Sequence, residues 1–405
     1  MNVTLLKNTI GLLFVIAGIL LSNAQQVIPI QNDSLEILPK RVSQNTNIEI
    51  IDNIVGSNYF IDSQILEEKR QIQVYLPLGY NNSNVRYPVL YLLDGQRFFL
   101  YAVSLSQSFK QFQLTPEFIV VGIHTDYPER FQQLGEGKSD FIEFISNEVK
   151  PYIENNFRTN SENLFFGWEF GASLVFNTML SNPTIFDAYI MSSTYPIMDA
   201  IDELLSITSL QANLFFSSSP DEYEVKHSAI KLDSILSQKN IDRLEWSFLM
   251  LDIEKHRSTS YPTLYHGLRN YYKYYQEFEA NNLKKFINAG GLDYAYSYSK
   301  ERARRHGFSP ELSLWSKFTI VRSAMRAEDF YYFEALLNAI NKKELIHGLM
   351  NENRDYAISN FAAFYEKNKH FKEAIELYDL LLKKNPDSKI LKRKKENAIK
   401  ASIKE

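Results

Sequence analysis

The chain has 405 residues, of which 45% are hydrophobic and 23% are charged, proportions typical of a globular protein long enough to bury a sizeable core. The formal net charge of −4 argues against a nucleic-acid partner. There is no cysteine, which excludes disulfides and a lipid-modified cysteine, so stability must come from the core.

Residues 1–24 have the pattern of a secretory signal peptide. An apolar segment over 10–21 is followed by Ser22 and Ala24, small residues three and one positions before a cleavage ahead of Gln25. The apolar segment is short for a bilayer span, although an uncleaved anchor is the alternative. We expect an exported protein, periplasmic or extracellular, with no membrane partner after cleavage.

The following segment has the signals of a mostly parallel sheet. "NYFIDSQILEEKRQIQVYLPLGY" alternates apolar and polar residues and predicts antiparallel strands. "YPVLYLLDG", "EFIVVGIHTD", "FDAYIMSS", "ANLFFSSSP" and "LEWSFLMLD" predict further strands, the first two as continuous apolar runs, and helix-like segments such as "DFIEFISNEVKPYIENNF" lie between them. This alternation predicts an α/β domain over 25–282.

From residue 283 onward the pattern is helical. Two helix-length segments over 355–388, joined at "KNKHF", are typical of one tetratricopeptide (TPR) unit. A single unit cannot bury its own face, so "SLWSKFTIVRSAMRAEDFYYFEALLNAI" is expected to stack on it. We predict a small all-α, TPR-like region over 283–405, which packs on its own chain or docks a protein partner. The final "KILKRKKENAIKASIKE" is interpreted as a solvated helix or frayed tail.

The stretch "NLFFGWEFGASLVF" has the layout of a nucleophile elbow, G-x-S-x-G, in which Glu169 stands at the serine position. Gly167 and Gly171 flank it, an apolar strand precedes it and a helix follows. In such a site, the backbone N–H of Phe170 is one oxyanion donor. The second would come from the loop after "YLLDG", near Gly95 or Gln96.

A hydrolase site of this kind also needs a base and an acid. His256, in the loop after the last predicted strand, is the candidate base, with a surface histidine as the alternative interpretation. Asp221 and Glu222 follow the strand "ANLFFSSSP" and are the acid candidates. Acids at a helix N-terminus are the alternative explanation for both. No metal site and no cofactor are predicted.

Several blocks in this order, among them "RQIQVYLPLGY", "YPVLYLLDGQRFF", "GWEFGASLVFNTML" and "EKHRSTSYPTLYHGLRNYY", resemble the putative-esterase family of α/β-hydrolases, which includes esterase D type enzymes and ferric-enterochelin esterases. The resemblance implies an α/β-hydrolase fold, a mostly parallel sheet flanked by helices, and a small ester-like ligand. It places the nucleophile on Glu169, the base on His256 and the acid on Glu222, with Asp221 as second choice. Some exported members also carry a TPR-like tail.

Glutamate at the nucleophile position changes the expected chemistry. Its attack on an ester would give a mixed anhydride, and a misplacement of about 1 Å costs on the order of a hundredfold in rate. His256 and the oxyanion donors favour the ionised carboxylate, with the histidine protonated. We therefore expect weak or no ordinary ester hydrolysis. The alternatives are carboxylate attack by Glu169, as Asp attacks saturated carbon in haloalkane dehalogenases and epoxide hydrolases, or a displaced hydroxyl, Ser173 or Ser193.

Overall fold

The computed structural model describes residues 53–404 with the exception of residue 126. The predicted signal peptide over 1–24 and the beginning of the predicted domain at 25 lie outside the described residues. Within the described part of the chain, no helix is both long enough and apolar enough to cross a membrane.

Eight strands of the described chain form one sheet in the order β1-β2-β4-β3-β5-β6-β7-β8. β1 pairs with β2 and β2 with β4 in antiparallel orientation, and all other neighbours are parallel. The predicted mostly parallel sheet is therefore confirmed. The strands are β1 Ser57–Ser63, β2 Glu68–Tyr75, β3 Tyr87–Leu93, β4 Ile119–Ile123, β5 Thr159–Trp168, β6 Ala188–Ser192, β7 Ser209–Ser218 and β8 Asp242–Met250.

Helices cover both faces of this sheet, which explains the continuous apolar sequence of its central strands. Every residue of β3 and β4 is buried. Successive side chains of β3 enter different cores: Tyr91 packs with Phe176 on one face, and Leu92 packs with Leu268 on the other. The α/β part thus has two hydrophobic layers separated by the sheet.

The helices of the α/β part follow the strands in the expected alternation. A π-helical turn, Ile145–Val149, lies between the helices Lys138–Phe144 and Lys150–Asn156, so the predicted amphipathic helix of that segment is interrupted. The helices are α1 Gly95–Gln111, α2 Arg130–Leu134, α3 Lys138–Phe144, α4 Lys150–Asn156, α5 Phe170–Ser181, α6 Met198–Ser206, α7 Tyr223–Gln238 and α8 Ser260–Tyr271.

The C-terminal part of the described chain is helical, as expected, and has its own core around Phe333, Phe361 and Tyr365. α14 and α15 correspond to the predicted TPR-like unit, and they pack against each other. The helices are α9 Leu283–Asn288, α10 Gly291–His306, α11 Leu314–Arg326, α12 Phe330–Ile340, α13 Lys342–Asn351, α14 Asp355–Lys367, α15 Phe371–Lys384 and α16 Lys389–Ser402.

Side chains of α10 attach this helical part to the α/β part. The Tyr298 hydroxyl donates to the Lys273 carbonyl at 2.6 Å, and Arg302 Nε donates to the Tyr275 carbonyl at 3.2 Å. Arg305 forms an ion pair with Glu245 of β8 at 2.6 Å. The two parts therefore share polar contacts close to the chain segment that joins them.

Candidate functional site

Five charged side chains meet beyond the carboxyl ends of the parallel strands. Each is carried by the segment that follows a different strand, and this edge of an α/β sheet is where ligands usually bind. In chain order the residues are Asp94 after β3, Arg130 after β4, Glu169 after β5, Glu222 after β7 and His256 after β8.

Glu169 lies on a sharp turn between β5 and α5, with φ 57° and ψ −119°. The neighbouring glycines are required by close approach, because a Cβ on Gly167 would lie 2.4 Å from the carbonyl carbon of Gly171. Backbone hydrogen bonds hold the turn: the Glu169 N–H donates to Ser192, and its carbonyl accepts from the N–H of Ser173. The turn therefore presents the residue 169 side chain at the end of the sheet.

His256 lies between two carboxylates. Its Nδ1 hydrogen-bonds Glu222 Oε1 at 2.6 Å, and its Nε2 is 3.7 Å from Glu169 Oε1. Glu222 is 6% exposed and accepts a further hydrogen bond from the Ser219 N–H at 2.8 Å. The indole N–H of Trp168 donates to the His256 carbonyl at 3.0 Å, which fixes the loop that carries the imidazole. The structure thus brings the predicted base together with one predicted acid and with Glu169.

Arg130, which the sequence analysis did not identify, is the second cation of the site. It is only 2% exposed, and its guanidinium makes a bidentate pair with Asp94, with Nε–Oδ1 at 2.6 Å and Nη2–Oδ2 at 2.8 Å. Its Nη1 donates to Glu169 Oε2 at 3.0 Å, and Nη2 donates to the Trp168 carbonyl at 3.2 Å. Asp94 is completely buried and also accepts from the Thr125 hydroxyl. Glu169 therefore contacts a cation with each of its carboxylate oxygens.

These contacts set the charges of the site. Burial alone would raise the pKa of the Glu169 carboxyl, but hydrogen bonds and charge from His256 and Arg130 lower it below its usual value. The pKa of Glu222 is lowered in the same way, against burial, above all by its hydrogen bond from His256. The two carboxylates raise the pKa of His256 to about 9. At neutral pH the site thus holds anionic Glu169 and Glu222 and a cationic His256.

The remaining predicted residues have different surroundings. Asp221 is exposed, and its backbone N–H donates to the Ser219 hydroxyl at 3.2 Å. Phe170 and Gln96 lie in the first turns of α5 and α1, where backbone N–H groups lack an intrahelical acceptor. Gly95 packs directly on the backbone of Gly122, since a Cβ there would lie 2.6 Å from the Gly122 carbonyl carbon. This contact fixes the start of α1 beside β4.

An aromatic row borders the site beside Glu169. Tyr127, Phe131, Phe170 and Tyr195 make successive edge-to-face contacts, with ring centroids 5.7, 5.3 and 6.1 Å apart. Tyr127, Phe131 and Tyr195 are exposed, although large aromatic side chains usually pack inside. The row gives the site an apolar border next to its charged centre.

The described residues contain no group of three or more His, Asp or Glu side chains arranged to hold a metal ion. The three carboxylates at the site are instead engaged by Arg130 and His256. At this position the site presents the ion-paired carboxylate of Glu169, the imidazolium of His256 and the backbone N–H groups of the two helix starts.

Known proteins are similar to this chain in sequence and in fold. Residues 63–239 match the model of the family described as "Putative esterase". The uncharacterised protein YbbA of Bacillus subtilis is 26% identical over 257 residues, which cover 57% of this chain and 94% of that protein.

Similar solved structures include an IroE-like serine hydrolase from Shewanella oneidensis, at 24% identity and a TM-score of 0.53, covering 70% of this chain and 98% of that one. An uncharacterised protein from Capnocytophaga ochracea has 17% identity and a TM-score of 0.54, covering 80% of this chain and 93% of that one. Both likenesses support the α/β fold. The α/β part of this chain therefore has an α/β-hydrolase-like fold, and its residues 63–239 match the putative-esterase family.

Proposed function

We propose that Glu169 replaces the nucleophilic serine of this family, and that the protein binds a small ester-like ligand without hydrolysing it through an acyl-enzyme. The observation that supports this is the double ion pair of Glu169, to Arg130 at 3.0 Å and to His256 at 3.7 Å. The position at which a nucleophile would attack is occupied by an anion with two cationic partners.

The charge of His256 argues against base catalysis. A general base must be unprotonated to accept the proton of a nucleophile, and it acts best when its pKa is near the working pH. The pKa of His256 is raised to about 9, so the imidazole is protonated at neutral pH. Glu169 has no proton to give, because its pKa is below the usual value. The ordinary serine-hydrolase step therefore lacks both a nucleophile and a base.

A displaced hydroxyl is the competing mechanism, and the surroundings of the two candidate serines oppose it. The Ser173 hydroxyl lies on α5 and donates to the Pro196 carbonyl at 2.5 Å. Ser193 is fully buried, and its hydroxyl is 2.6 Å from the Thr259 hydroxyl. Both oxygens have protein partners, so neither is available for attack on a ligand.

The test uses short-chain p-nitrophenyl esters and five forms of the protein: wild type, Glu169→Ser, Glu169→Gln, His256→Ala and the double variant Glu169→Ser/His256→Ala. We expect negligible turnover by wild type and Glu169→Gln. Glu169→Ser restores a nucleophile and removes one of the carboxylates that protonate His256, so it should gain activity. The double variant should lose that gain by about 10²- to 10⁴-fold, the usual contribution of a general base.

Wild-type turnover that disappears in His256→Ala would refute the proposal and favour an active hydrolase. Mass spectrometry after turnover in ¹⁸O-labelled water identifies the mechanism in that case. Label incorporated into the Glu169 carboxylate would indicate carboxylate attack, since p-nitrophenolate then leaves a mixed anhydride that water hydrolyses at the glutamyl carbon. An unlabelled Glu169 in an active wild type is expected if another nucleophile attacks, or if water attacks the acyl carbon of the anhydride.

Export is the second element of the proposal, and it is supported by the signal-peptide pattern over 1–24. Expression of the full chain in a Gram-negative host, followed by fractionation, should give a periplasmic product whose N-terminus is Gln25. Val15→Arg, which places a charge in the apolar segment, should leave the full-length protein in the cytoplasm. Equal distribution of both forms would contradict export.

A further inference from the structure

The end of the chain has a charge opposite to that of the rest. The segment from Lys383 to Lys404 contains nine Lys and Arg residues and two acidic residues, a net charge of +7. Because the whole chain carries −4, all other residues together carry −11. The positive charge is therefore concentrated in the last turn of α15, the following loop and α16.

One face of α16 is used to attach it to the helical part. Ala398 is fully buried and Leu391 is partly buried in the core of that part. Lys394 donates to the Ser359 hydroxyl at 3.0 Å, and Lys395 forms an ion pair with Asp379 at 2.6 Å. These two lysines lie on the attached side, so their charge has partners within the chain.

The opposite face of α16 is exposed and carries basic and apolar side chains together. At 100° per residue, Lys389, Lys392, Ile399, Lys400 and Ile403 fall on the side of the helix away from Ala398. Ile399 is 37% exposed and Ile403 is 78% exposed. Arg393 and Lys404 lie on this face as well, and Glu396 is its one acidic residue.

A terminal helix needs only a polar outer face to keep a helical array soluble. Soluble surfaces usually mix both signs of charge and avoid exposed isoleucine. A nucleic-acid partner would use the basic residues but would give Ile399 and Ile403 no contact. An anionic bilayer suits both kinds of side chain, because basic residues reach the headgroup phosphates while apolar ones enter the boundary with the acyl chains.

We propose that the outward face of α16 binds the surface of an anionic lipid bilayer, with its lysines on headgroup phosphates and Ile399 and Ile403 at the acyl boundary. This contact is peripheral, and the helix does not span the bilayer. It departs from the expectation from the sequence, which was that the mature chain has no membrane partner. It is also independent of the chemistry at Glu169.

The test is flotation of the mature protein with phosphatidylcholine vesicles that contain or lack phosphatidylglycerol. We expect binding only to the vesicles with phosphatidylglycerol, and release by salt. Each lysine near such a surface contributes about fivefold in affinity, so Lys389→Gln/Lys392→Gln/Lys400→Gln should weaken binding by about a hundredfold. Ile399→Ser/Ile403→Ser, which keeps every charge, should also weaken it.

The matched control is Lys284→Gln/Lys300→Gln/Lys343→Gln, which removes three exposed lysines from other helices and should leave binding unchanged. Circular dichroism and the urea midpoint establish that all variants are folded. Equal binding to both vesicle types, or none to phosphatidylglycerol at low salt, would overturn the proposal. So would a loss in the lysine variant alone with none in the isoleucine variant, since that result indicates a general polyanion site. Equal weakening by the control variant would overturn the assignment to α16.

Discussion

Arg130 helps to set the charge of Glu169 and also compensates the buried charge of Asp94. Asp94 is fully buried, and its carboxylate accepts two hydrogen bonds from the guanidinium. The guanidinium therefore compensates the buried negative charge in place of water. Removing one partner of such a pair leaves an uncompensated buried charge, which is far more costly than removing both. The arginine is thus a structural requirement of the site as well as an electrostatic one.

We expect Arg130→Met to lower the free energy of unfolding by about 3–5 kcal/mol. The double variant Arg130→Met/Asp94→Asn should recover a large part of this loss, because a neutral amide then replaces the unpaired buried carboxylate. Arg326→Met, at an exposed arginine, should change stability by less than about 0.5 kcal/mol. Urea unfolding of these three variants and of the single variant Asp94→Asn measures the effects. Strictly additive effects of the two site substitutions would contradict a coupled pair.

His256 should titrate far above an ordinary histidine. Its pKa is raised from 6.5 to about 9, and we expect an NMR titration of the imidazole to have its midpoint there. Glu169→Gln should move the midpoint down, because it removes one of the two carboxylates that stabilise the imidazolium. A midpoint below 6.5 in the wild type would contradict the ion-paired site.

The same shift predicts how stability depends on pH. A raised pKa means that the folded protein binds the proton more tightly than the unfolded chain does. The stabilisation is fully present below 6.5 and is lost as pH rises through about 9. His256→Gln should therefore reduce stability clearly at about pH 6 and scarcely at about pH 10. Urea unfolding of both forms at the two pH values tests this, and an equal loss at both would be inconsistent with it.

At the scale of single residues, the sequence identified the position of Glu169 and His256 but missed Arg130. The two glycines and the following helix mark the turn locally. Arg130 lies 36 residues after Asp94 and 39 before Glu169, and its own segment contains no distinguishing pattern. The local pattern alone left Asp221 and Glu222 as equal candidates, and only the resemblance favoured Glu222, since the difference lies in the direction each side chain takes at the end of β7.

Among the elements, α8 shows how packing overrides helix propensity. Gly267 lies in the interior of α8, where alanine would ordinarily be preferred by about 1 kcal/mol. A Cβ at this position would lie 2.6 Å from Cγ2 of Ile190 in β6. The glycine therefore allows the helix to lie directly on the sheet, beneath the loop that carries His256.

We expect Gly267→Ala to destabilise the protein by about 1–3 kcal/mol despite the better helix former, because overpacking must move the helix or the strand. Gly267→Ala combined with Ile190→Ala should be more stable than the sum of the two single effects, since the second change makes room for the first. Urea unfolding of the four forms gives the coupling. A Gly267→Ala variant more stable than wild type would show that the helix has free space here.

The elements of the sheet were the most predictable part of the molecule. β3 and β4 are buried on both faces, so every residue had to be apolar or small, and the resulting runs are visible in the sequence. The interruption by the π-helical turn Ile145–Val149 was not predicted, because its residues keep the apolar spacing of a continuous helix.

At the scale of the whole molecule, the α/β and helical parts are joined by side chains that would lose hydrogen-bond partners if the two parts separated. Arg305, Tyr298 and Arg302 of α10 each bond to the α/β part. Tyr272 of the α/β part is 1% exposed and its ring lies 6.0 Å from that of His306. These contacts favour unfolding of the two parts in one step.

Three tryptophans allow this to be measured, since Trp168 and Trp246 belong to the sheet and Trp315 to α11. We expect the urea midpoint of Trp315→Phe, which reports on the α/β part by fluorescence, to coincide with that of Trp168→Phe/Trp246→Phe, which reports on the helical part. Each curve should also match the far-UV circular dichroism of the same variant. Clearly separated transitions would show two independently folding parts.

The conformation of the turn at residue 169 does not depend on which side chain that residue carries. Its left-handed φ of 57° costs about 1–3 kcal/mol for a side chain other than glycine, and the glycines and backbone hydrogen bonds around it impose that conformation whatever residue stands there. The conformation of the turn is thus set by the main chain around it, and the chemistry of the position is set by the side chain at residue 169. The turn therefore persists when a serine at this position is substituted. We expect that serine, cysteine or aspartate can also replace Glu169 without a change of fold.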